Sequence, residues 1–538
     1  MSTQSSKESS FLMQATILAT AGILVRLVGF LYRLPMQSML GDEGTGIYAQ
    51  GYNIFLLFFV ISSAGFPAAI SKMVSTRIAL KQYGNAHKVF KIALVMAGSA
   101  GFASMFMLFF GAEWLSNLVA SPDAVYSIQA LAPAAFIVAI MSVYRGYFQG
   151  MGNTVPTAVS QVFEQVLNAA FSIWLVYVLL DEGLAMAAAG GTAGSGIGAF
   201  AGLIIIIGIY KLQTKRIRKN IKKHKQYAEN ESAGSIAKEL LFTAAPIIAG
   251  TAIFSITNLI DTKMVISILT DTGFSHTEAL QLFGQLNGKY VVITTLPVAI
   301  ATALAAAVIP SIAKSVALND RTATKDKVDM ALRLTMIISI PAAFGVGILA
   351  NQILLFLFPN NPDGGILLQV GAASIIFLAL SQIATGMLQG MGKLKVPALA
   401  ALCGAIVKIP LNYFLIAIPE INVVGAVIST TVCYMIASFI NLTVVYRTTN
   451  TRPDIINVFL KPTASAIVMG AISYVSYYTV YFIHPNNTLA LIISIFLSVI
   501  AYFIFMIIIK GIKRKDLETM PMGHRIINLL DNLGIVYG

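Results

Sequence analysis

The sequence predicts an all-α polytopic membrane protein with fourteen transmembrane helices, arranged as two parallel six-helix lobes followed by two extra C-terminal helices. Three observations lead to this prediction. Of the 538 residues, 57% are hydrophobic and only 11% are charged, whereas about a quarter of the residues of a soluble domain are charged. The apolar residues fall in fourteen long runs, and Lys and Arg concentrate in every second loop. The composition excludes an ordinary cytosolic enzyme, a disordered scaffold and a disulfide-stapled secreted protein.

Each apolar run has roughly the length of about 20 residues that a bilayer-spanning helix needs. Backbone groups that face lipid must be satisfied within their own segment, so the runs should be helices. A membrane barrel is excluded because its strands would be about ten residues of alternating polarity. The first run has no small-residue cleavage site after it, so we expect it to be retained. The predicted spans are 11–34, 46–70, 89–110, 124–148, 156–180, 184–210, 237–262, 280–309, 330–350, 365–390, 396–418, 422–446, 462–483 and 487–510.

The loop charges give an independent test of the spans. Apart from Lys263 at the end of the seventh span, the loops that follow the odd-numbered spans contain no Lys or Arg, whereas the other loops with their adjoining helix ends and both termini hold 30 of the 36. Under the positive-inside rule, both termini are cytoplasmic and the number of spans is even. The basic segment 211–225 could instead bind anionic lipid or nucleic acid. It has no interleaved aromatic residues, so we interpret it as a topology determinant and expect no nucleic-acid partner.

An internal repeat divides the chain. FQGMGNTVPTA at 148–158 matches LQGMGKLKVPALA at 388–400, and FPAAISK at 66–72 is echoed by IPSIAK at 309–314. Parallel repeats of this kind are typical of transporters, with the substrate between the two lobes. The predicted organisation is an N-lobe at 1–210, a basic cytoplasmic loop at 211–236, a C-lobe at 237–446, two extra helices at 447–511 and a cytoplasmic tail at 512–538. The glycine-rich stretch at 190–202 should let a second helix approach closely.

Six basic residues lie outside the cytoplasmic loops and helix ends, and four of them lie within predicted spans with no interfacial explanation, namely Arg26, Arg33, Lys289 and Lys408. A charge near the middle of a bilayer costs at least ~2.5–3.5 kcal/mol, so such a residue should face a cavity or a partner. Arg26 and Arg33 are two turns apart on one helix face. Because Arg and Lys are the residues that hold phosphate, the four predict a pocket for an anionic head group.

Few carboxylates oppose these cations. Glu164 lies within the fifth span and Asp261 near the outer end of the seventh. Either could bind a coupling proton or sodium ion or simply balance charge, and Glu164 could pair with Lys408 as a strut between the lobes. The adjacent acidic pairs Asp42–Glu43 and Asp181–Glu182 are interpreted as solvated loop charges. The sequence offers no catalytic or metal-binding cluster, and we expect no cofactor and no enzymatic activity.

Several motifs resemble one protein family over essentially the whole chain. They are RLVGFLYR at 26–33, GDEGTGIYAQGYN at 41–53, AGFPAAISK at 64–72, the two QGMG motifs and KIPLNY at 408–413. The sequence is similar to the stage V sporulation protein B and MurJ-like branch of the multidrug/oligosaccharidyl-lipid/polysaccharide (MOP) exporter superfamily. The resemblance implies the fourteen-helix MOP flippase fold and a bacterial cytoplasmic membrane location. It also implies that the two extra helices form a groove for a lipid tail.

The resemblance further implies an activity. It predicts a flippase that moves a polyprenyl-diphosphate-linked sugar, such as the peptidoglycan precursor lipid II, from the inner to the outer leaflet by alternating access. The partners would be that substrate, membrane lipids and either a coupling ion (H⁺ or Na⁺) or the membrane potential. Arg26 and Arg33 match basic residues of the family's first helix, and Lys289 lies near the basic position of the eighth. The second helix lacks the arginine and aspartate of the lipid II flippases.

Other functions remain as alternatives. The nearest one keeps the fold and exports other undecaprenyl-linked repeat units of capsule or teichuronic type. A multidrug antiporter would need carboxylates to hold cationic drugs, so the predicted cavity has the wrong sign. A polytopic glycosyltransferase would need a catalytic acidic or histidine cluster at the membrane interface, which this sequence does not offer.

Overall fold

The computed structural model describes residues 2–227, 231–318, 320–450 and 453–511, which form helices and short connections with no β-strand among them. This confirms the predicted all-α class. The predicted tail at 512–538 lies outside the described residues. The helices are α1 (Ser2–Phe59), α2 (Phe66–Ala79), α3 (Tyr83–Phe110), α4 (Ala112–Leu118), α5 (Val125–Gly150), α6 (Val155–Leu179), α7 (Leu184–Lys223), α8 (Ala233–Asp271), α9 (His276–Gly284), α10 (Val291–Ala317), α11 (Arg321–Ile348), α12 (Ala350–Leu357), α13 (Gly365–Gly371), α14 (Ala373–Gly390), α15 (Lys395–Ile416), α16 (Val424–Thr449), α17 (Lys461–Ile483) and α18 (Asn487–Ile508).

Thirteen helical stretches in the described part of the chain are long and apolar enough to cross a membrane. Twelve of them correspond one to one to predicted spans 3–14. The other, Thr20–Ala79, has 60 residues, and at 1.5 Å per residue it is about 90 Å long, three times the hydrocarbon thickness of a bilayer. Its helix is interrupted at Gly41, where φ is 64° and ψ is −173°. The predicted first and second spans lie on either side of this glycine, and the count of fourteen crossings stays a prediction.

The two QGMG motifs fold into the same turn, which supports the internal repeat. In the first, Gly152 has a φ of 73° and the Asn153 amide donates to the Phe148 carbonyl at 3.0 Å. In the second, Gly392 has a φ of 76° and the Lys393 amide donates to the Leu388 carbonyl at 2.8 Å. Both are helix C-caps in which glycine supplies the left-handed residue. Each turn ends one long helix, α5 or α14, and leads directly into the next.

The chain forms two compact units, Met1–Gly288 and Lys289–Gly538. The first unit therefore includes α8 and α9. The Asn53 Nδ2 atom donates to Thr262 Oγ1 of α8 at 3.1 Å, and Gly65, just before α2, lies against Ala244 and Ile248. The predicted lobes, 1–210 and 237–446, rest on sequence repetition rather than on contacts. The boundaries of the two lobes therefore stay a prediction.

Candidate functional site

One face of α1 carries two cations toward a polar face of α6. Arg26 is exposed and Arg33 is partly buried. Gly29 lies between them on the same face, because positions three, four and seven residues apart align along a helix. A Cβ atom on Gly29 would be 3.4 Å from Gln165 Nε2 of α6. The cationic face of α1 is therefore directed at α6.

Three tyrosines surround the Arg33 guanidinium. Arg33 hydrogen-bonds with Tyr32 and interacts electrostatically with Tyr48 and Tyr52. The rings of Tyr48 and Tyr52 are stacked, with their centroids 5.9 Å apart. Tyr52 also interacts with Glu164. Tyr52 therefore lies near both the cation on α1 and the carboxylate on α6.

Glu164 is paired within the first unit. Its Oε2 atom lies 2.6 Å from Nη2 of Arg145 on α5, and the two side chains are 25% and 12% exposed, respectively. Arg145 Nε also donates to Ser160 Oγ at 3.1 Å. The sequence left open whether Glu164 binds a coupling ion or balances charge, and this ion pair supports charge balance. The partner in the pair is Arg145, whereas the sequence suggested Lys408.

Sequence reasoning misses Arg145, because its position near the end of the fourth predicted span groups it with the cytoplasmic charges. The similar depths of Arg145 and Glu164 in the α5–α6 hairpin could have revealed this pair. Arg145 lies five residues before the end of α5 and Glu164 lies nine residues after the start of α6. At 1.5 Å per residue, their depths differ by only about 6 Å, a gap that a long arginine side chain can span.

Close packing of α7 fixes the polar face of α6. A Cβ atom on Gly198 would lie 2.4 Å from the Glu164 carbonyl oxygen, and one on Gly202 would lie 3.2 Å from Glu164 Cβ. Asn168 Oδ1 accepts hydrogen bonds from Ser172 at 3.0 Å and from Ser195 of α7 at 3.2 Å. The expected role of the glycine-rich stretch in helix approach is confirmed.

Lys289 and Lys408 belong to the second unit, and both are buried. Lys289 is 1% exposed. Its Nζ atom donates to the Asp363 carbonyl at 3.0 Å and lies 5.9 Å from the centre of the Phe358 ring. Lys408 is 5% exposed and interacts electrostatically with Tyr290, whose hydroxyl donates to Ser374 Oγ at 2.8 Å. Lys289 therefore anchors the segment that precedes α13.

The remaining carboxylates lie in different environments. Asp261 is partly buried on α8. Asp181 and Glu182 are exposed, as predicted. Asp42 is only 5% exposed and accepts a hydrogen bond from Gln37 Nε2 at 2.7 Å, so its prediction as a solvated loop charge is wrong. The physical reason is that the segment around Gly41 packs against α9, where a Cβ atom on Gly284 would overlap the Asp42 carbonyl.

The described residues contain no group of three or more His, Cys, Asp or Glu side chains that could hold a metal ion. The first unit carries two charged features: the face of α1 with Arg26 and Arg33, and the Arg145–Glu164 ion pair of α5 and α6. Guanidinium groups such as these can hold an anion by charge-assisted hydrogen bonds.

The chain is similar to characterised membrane proteins. The family profile described as "Polysaccharide biosynthesis protein" matches residues 11–316, and the MatE profile matches residues 246–414. The relative "Lipid II flippase MurJ" of Bacillus subtilis (strain 168) is 28% identical over 446 residues, which cover 79% of this chain and 81% of the relative. "Stage V sporulation protein B" of the same organism is 25% identical over 535 residues, covering 97% of this chain and 99% of the relative.

A solved structure shares the fold. "Lipid II flippase MurJ, inward closed conformation" superposes with a TM-score of 0.70 at 16% identity, covering 92% of this chain and 98% of that chain. These similarities confirm the resemblance drawn from the sequence motifs. They also agree with a transporter rather than an enzyme. Because the profile described as a polysaccharide biosynthesis protein matches more than half of the chain's residues, the chain belongs to the polysaccharide biosynthesis protein family.

Proposed function

We propose that this protein is a flippase that moves an anionic lipid-linked oligosaccharide from the inner to the outer leaflet of the bacterial cytoplasmic membrane. The proposed substrate is a polyprenyl-diphosphate-linked sugar, with lipid II as the first candidate. Both termini would be cytoplasmic, as the loop charges predict. The relatives named as a lipid II flippase and a sporulation protein support this class of function.

The observation that carries the proposal is the cationic face of α1 opposite the polar face of α6. Arg26 and Arg33 share this face, and Arg33 lies beside three tyrosines. A diphosphate cannot cross ~30 Å of hydrocarbon without its hydration being replaced. Arginine fits this role because its planar fork can bind phosphate oxygens bidentately. Tyrosine hydroxyls can donate further hydrogen bonds to the same oxygens.

The proposed mechanism is alternating access. A cavity lined by Arg26 and Arg33 would receive the head group from the inner leaflet while the prenyl chain stays in lipid. Opening toward the other side would then release the head group, provided that it binds both conformations with comparable affinity. We propose Lys289 and Lys408 as further head-group ligands. Since both side chains are buried in the second unit, a substrate would reach them only after that unit rearranges.

Flipping by the full-length protein in proteoliposomes tests this function. Lipid II and a second undecaprenyl-diphosphate-linked glycan would be compared, using wild type, Arg33→Gln and Arg216→Gln. Arg216 is an exposed cation of α7 and serves as the matched control. We expect Arg33→Gln to lower the flipping rate by about tenfold or more, since a charge-assisted hydrogen bond is worth ~1.5–3 kcal/mol. Arg216→Gln should flip normally.

The two glycans separate the candidate substrates. Flipping of lipid II alone supports the lipid II assignment, and flipping of the second glycan alone supports export of another wall polymer. No flipping of either lipid by folded wild type would refute the flippase assignment. Repeating the assay with and without Na⁺ and a proton gradient would identify the energy source, for which Glu164 and Asp261 are the proposed ion-binding carboxylates.

A further inference from the structure

Arg145 is turned toward the interior of the first unit although water is close by. It lies five residues before the end of α5, which is about 8 Å at 1.5 Å per residue. A long basic side chain at this depth can normally extend to the interface. Instead, Arg145 is 12% exposed, pairs with Glu164 at 2.6 Å and donates to Ser160. Its guanidinium is therefore held by α6.

Glu164 is paired with one arginine and lies near a tyrosine that neighbours a second arginine. It forms the ion pair with Arg145, and it interacts with Tyr52, which also interacts with Arg33. The Glu164 side chain is 25% exposed, so protein atoms do not fully enclose the carboxylate. An anion that approached the cationic face of α1 would thus meet a carboxylate already bound to a neighbouring cation.

Stability alone does not account for this pair. A buried ion pair gives little net stabilisation, because the cost of desolvating two charges offsets their attraction. A carboxylate and a phosphate use the same bidentate geometry to bind a guanidinium. Glu164 therefore occupies Arg145 in the way that a phosphate group would.

We propose that Arg145 is a head-group-binding residue and that Glu164 is a resident anion, which the diphosphate of the substrate displaces. This inference rests on the proposed flippase function. In the empty protein, Glu164 neutralises Arg145 and keeps the guanidinium oriented. When the substrate binds, Arg145 exchanges the carboxylate for phosphate oxygens. When the substrate leaves, the ion pair forms again and favours release.

The exchange predicts opposite effects for the two partners. Glu164→Gln removes the competing anion, so it should bind a diphosphate lipid about fivefold more tightly, which corresponds to ~1 kcal/mol. The same variant should release the lipid more slowly and therefore flip more slowly. Arg145→Gln should bind the lipid about fivefold more weakly or worse. The double variant should bind like Arg145→Gln, because the competition acts through Arg145.

The experiment measures binding of undecaprenyl diphosphate to the full-length protein in nanodiscs. Glu182→Gln and Arg216→Gln are matched controls, because each removes one exposed charge. Arg145→Lys keeps the positive charge but not the bidentate fork, so it should bind the lipid more tightly than Arg145→Gln does, which guards against a variant that merely misfolds. Unchanged or weaker binding by Glu164→Gln would overturn the inference. So would an effect of Glu164→Gln that persists in full in the double variant.

Failure of this inference is distinguishable from failure of the proposed function. If wild type binds and flips the lipid but Glu164→Gln and Arg145→Gln behave like wild type, only the exchange is refuted. If folded wild type neither binds undecaprenyl diphosphate nor flips either lipid-linked glycan, both proposals are refuted. If Arg145→Gln and Arg145→Lys lose similar affinity for the lipid and both have a lower thermal stability, the ion pair has only a structural role. That result would also refute the exchange.

Discussion

The ion cluster around Arg77 should be the strongest polar link between α2 and the start of α8. Arg77 Nη2 lies 2.5 Å from Glu231 Oε2 and 2.7 Å from Glu239 Oε2. Arg77 Nε donates to both Glu231 oxygens, at 3.1 and 3.2 Å. Asn85 adds a 2.9 Å hydrogen bond to Glu231 Oε1, and Lys88 donates to the Glu231 carbonyl. Removing the guanidinium would leave two carboxylates facing each other.

The expected loss of unfolding free energy depends on how exposed each ion pair is. The Arg77 and Glu231 side chains are 8% and 19% exposed, so this pair is nearly buried. Breaking a buried pair by removing one partner costs ~3–5 kcal/mol. Glu239 is 49% exposed, and an exposed pair is worth only ~0–1 kcal/mol. We therefore expect Arg77→Gln to lower the free energy of unfolding by about 3 kcal/mol and Glu239→Gln to lower it by less than ~1 kcal/mol.

Thermal unfolding of purified protein measures the difference. An unfolding entropy of about 2.1 cal/mol/K per residue converts 3 kcal/mol into a fall in Tm of about 3–5 °C, depending on whether the whole chain or the first unit unfolds together. Lys81→Gln is the control, because Lys81 is an exposed cation in the adjacent loop. A Tm for Arg77→Gln within the scatter of the control would refute the reasoning. Equal losses for Arg77→Gln and Glu239→Gln would contradict the ranking by exposure.

Three further predictions concern close packing, turns and a buried cation. Gly198→Ala should destabilise the protein by ~1–3 kcal/mol through overpacking, since its Cβ would lie 2.4 Å from the Glu164 carbonyl oxygen. Gly208→Ala on the same helix is the control, because its Cβ would meet no atom within 4 Å. Equal Tm values for the two variants would contradict this prediction. Gly152→Ala and Gly392→Ala should each lower the stability by ~1–2 kcal/mol, because both glycines have a left-handed backbone conformation. Unfolding experiments should give similar losses for the two variants. A loss at one site only would argue against equivalent turns. Lys289→Met should lower the stability by ~1–3 kcal/mol, because it leaves the Asp363 carbonyl without its amine donor. The measurement is limited proteolysis, which should cleave faster between α12 and α13. Unchanged cleavage would show that Lys289 does not anchor this segment.

The sequence predicted the features that depend on local composition. Apolar runs located the helices, because each crossing must bury about 20 residues in lipid. The QGMG motifs located two turns, since glycine supplies the left-handed C-cap residue that other residues adopt only at a cost. The glycine-rich part of α7 predicted close helix packing. These signals are carried by neighbouring residues and need no knowledge of the tertiary structure.

Long-range contacts decided what the sequence missed. Asp42 looks like a loop charge in the sequence, yet it is buried because the part of α1 around Gly41 packs against α9, more than 230 residues later in the chain. The sequence does not reveal that Lys289 donates a hydrogen bond to the Asp363 carbonyl, 74 residues away. Glu164 has two cations at plausible depths, and only helix packing selects Arg145. Charge and hydropathy indicate how deep a residue lies in a span but not which neighbouring helix it faces.

The most direct test of the central claim is whether transport depends on the negative charge of the carrier. Wild-type proteoliposomes would be given the same fluorescent sugar on undecaprenyl diphosphate and on a neutral diacylglycerol lipid. If cations such as Arg33 recognise the head group, the diphosphate lipid should flip and the neutral lipid should not, and Arg33→Gln should lose most of this difference. Equal flipping of both lipids by wild type, or full selectivity in Arg33→Gln, would contradict the account.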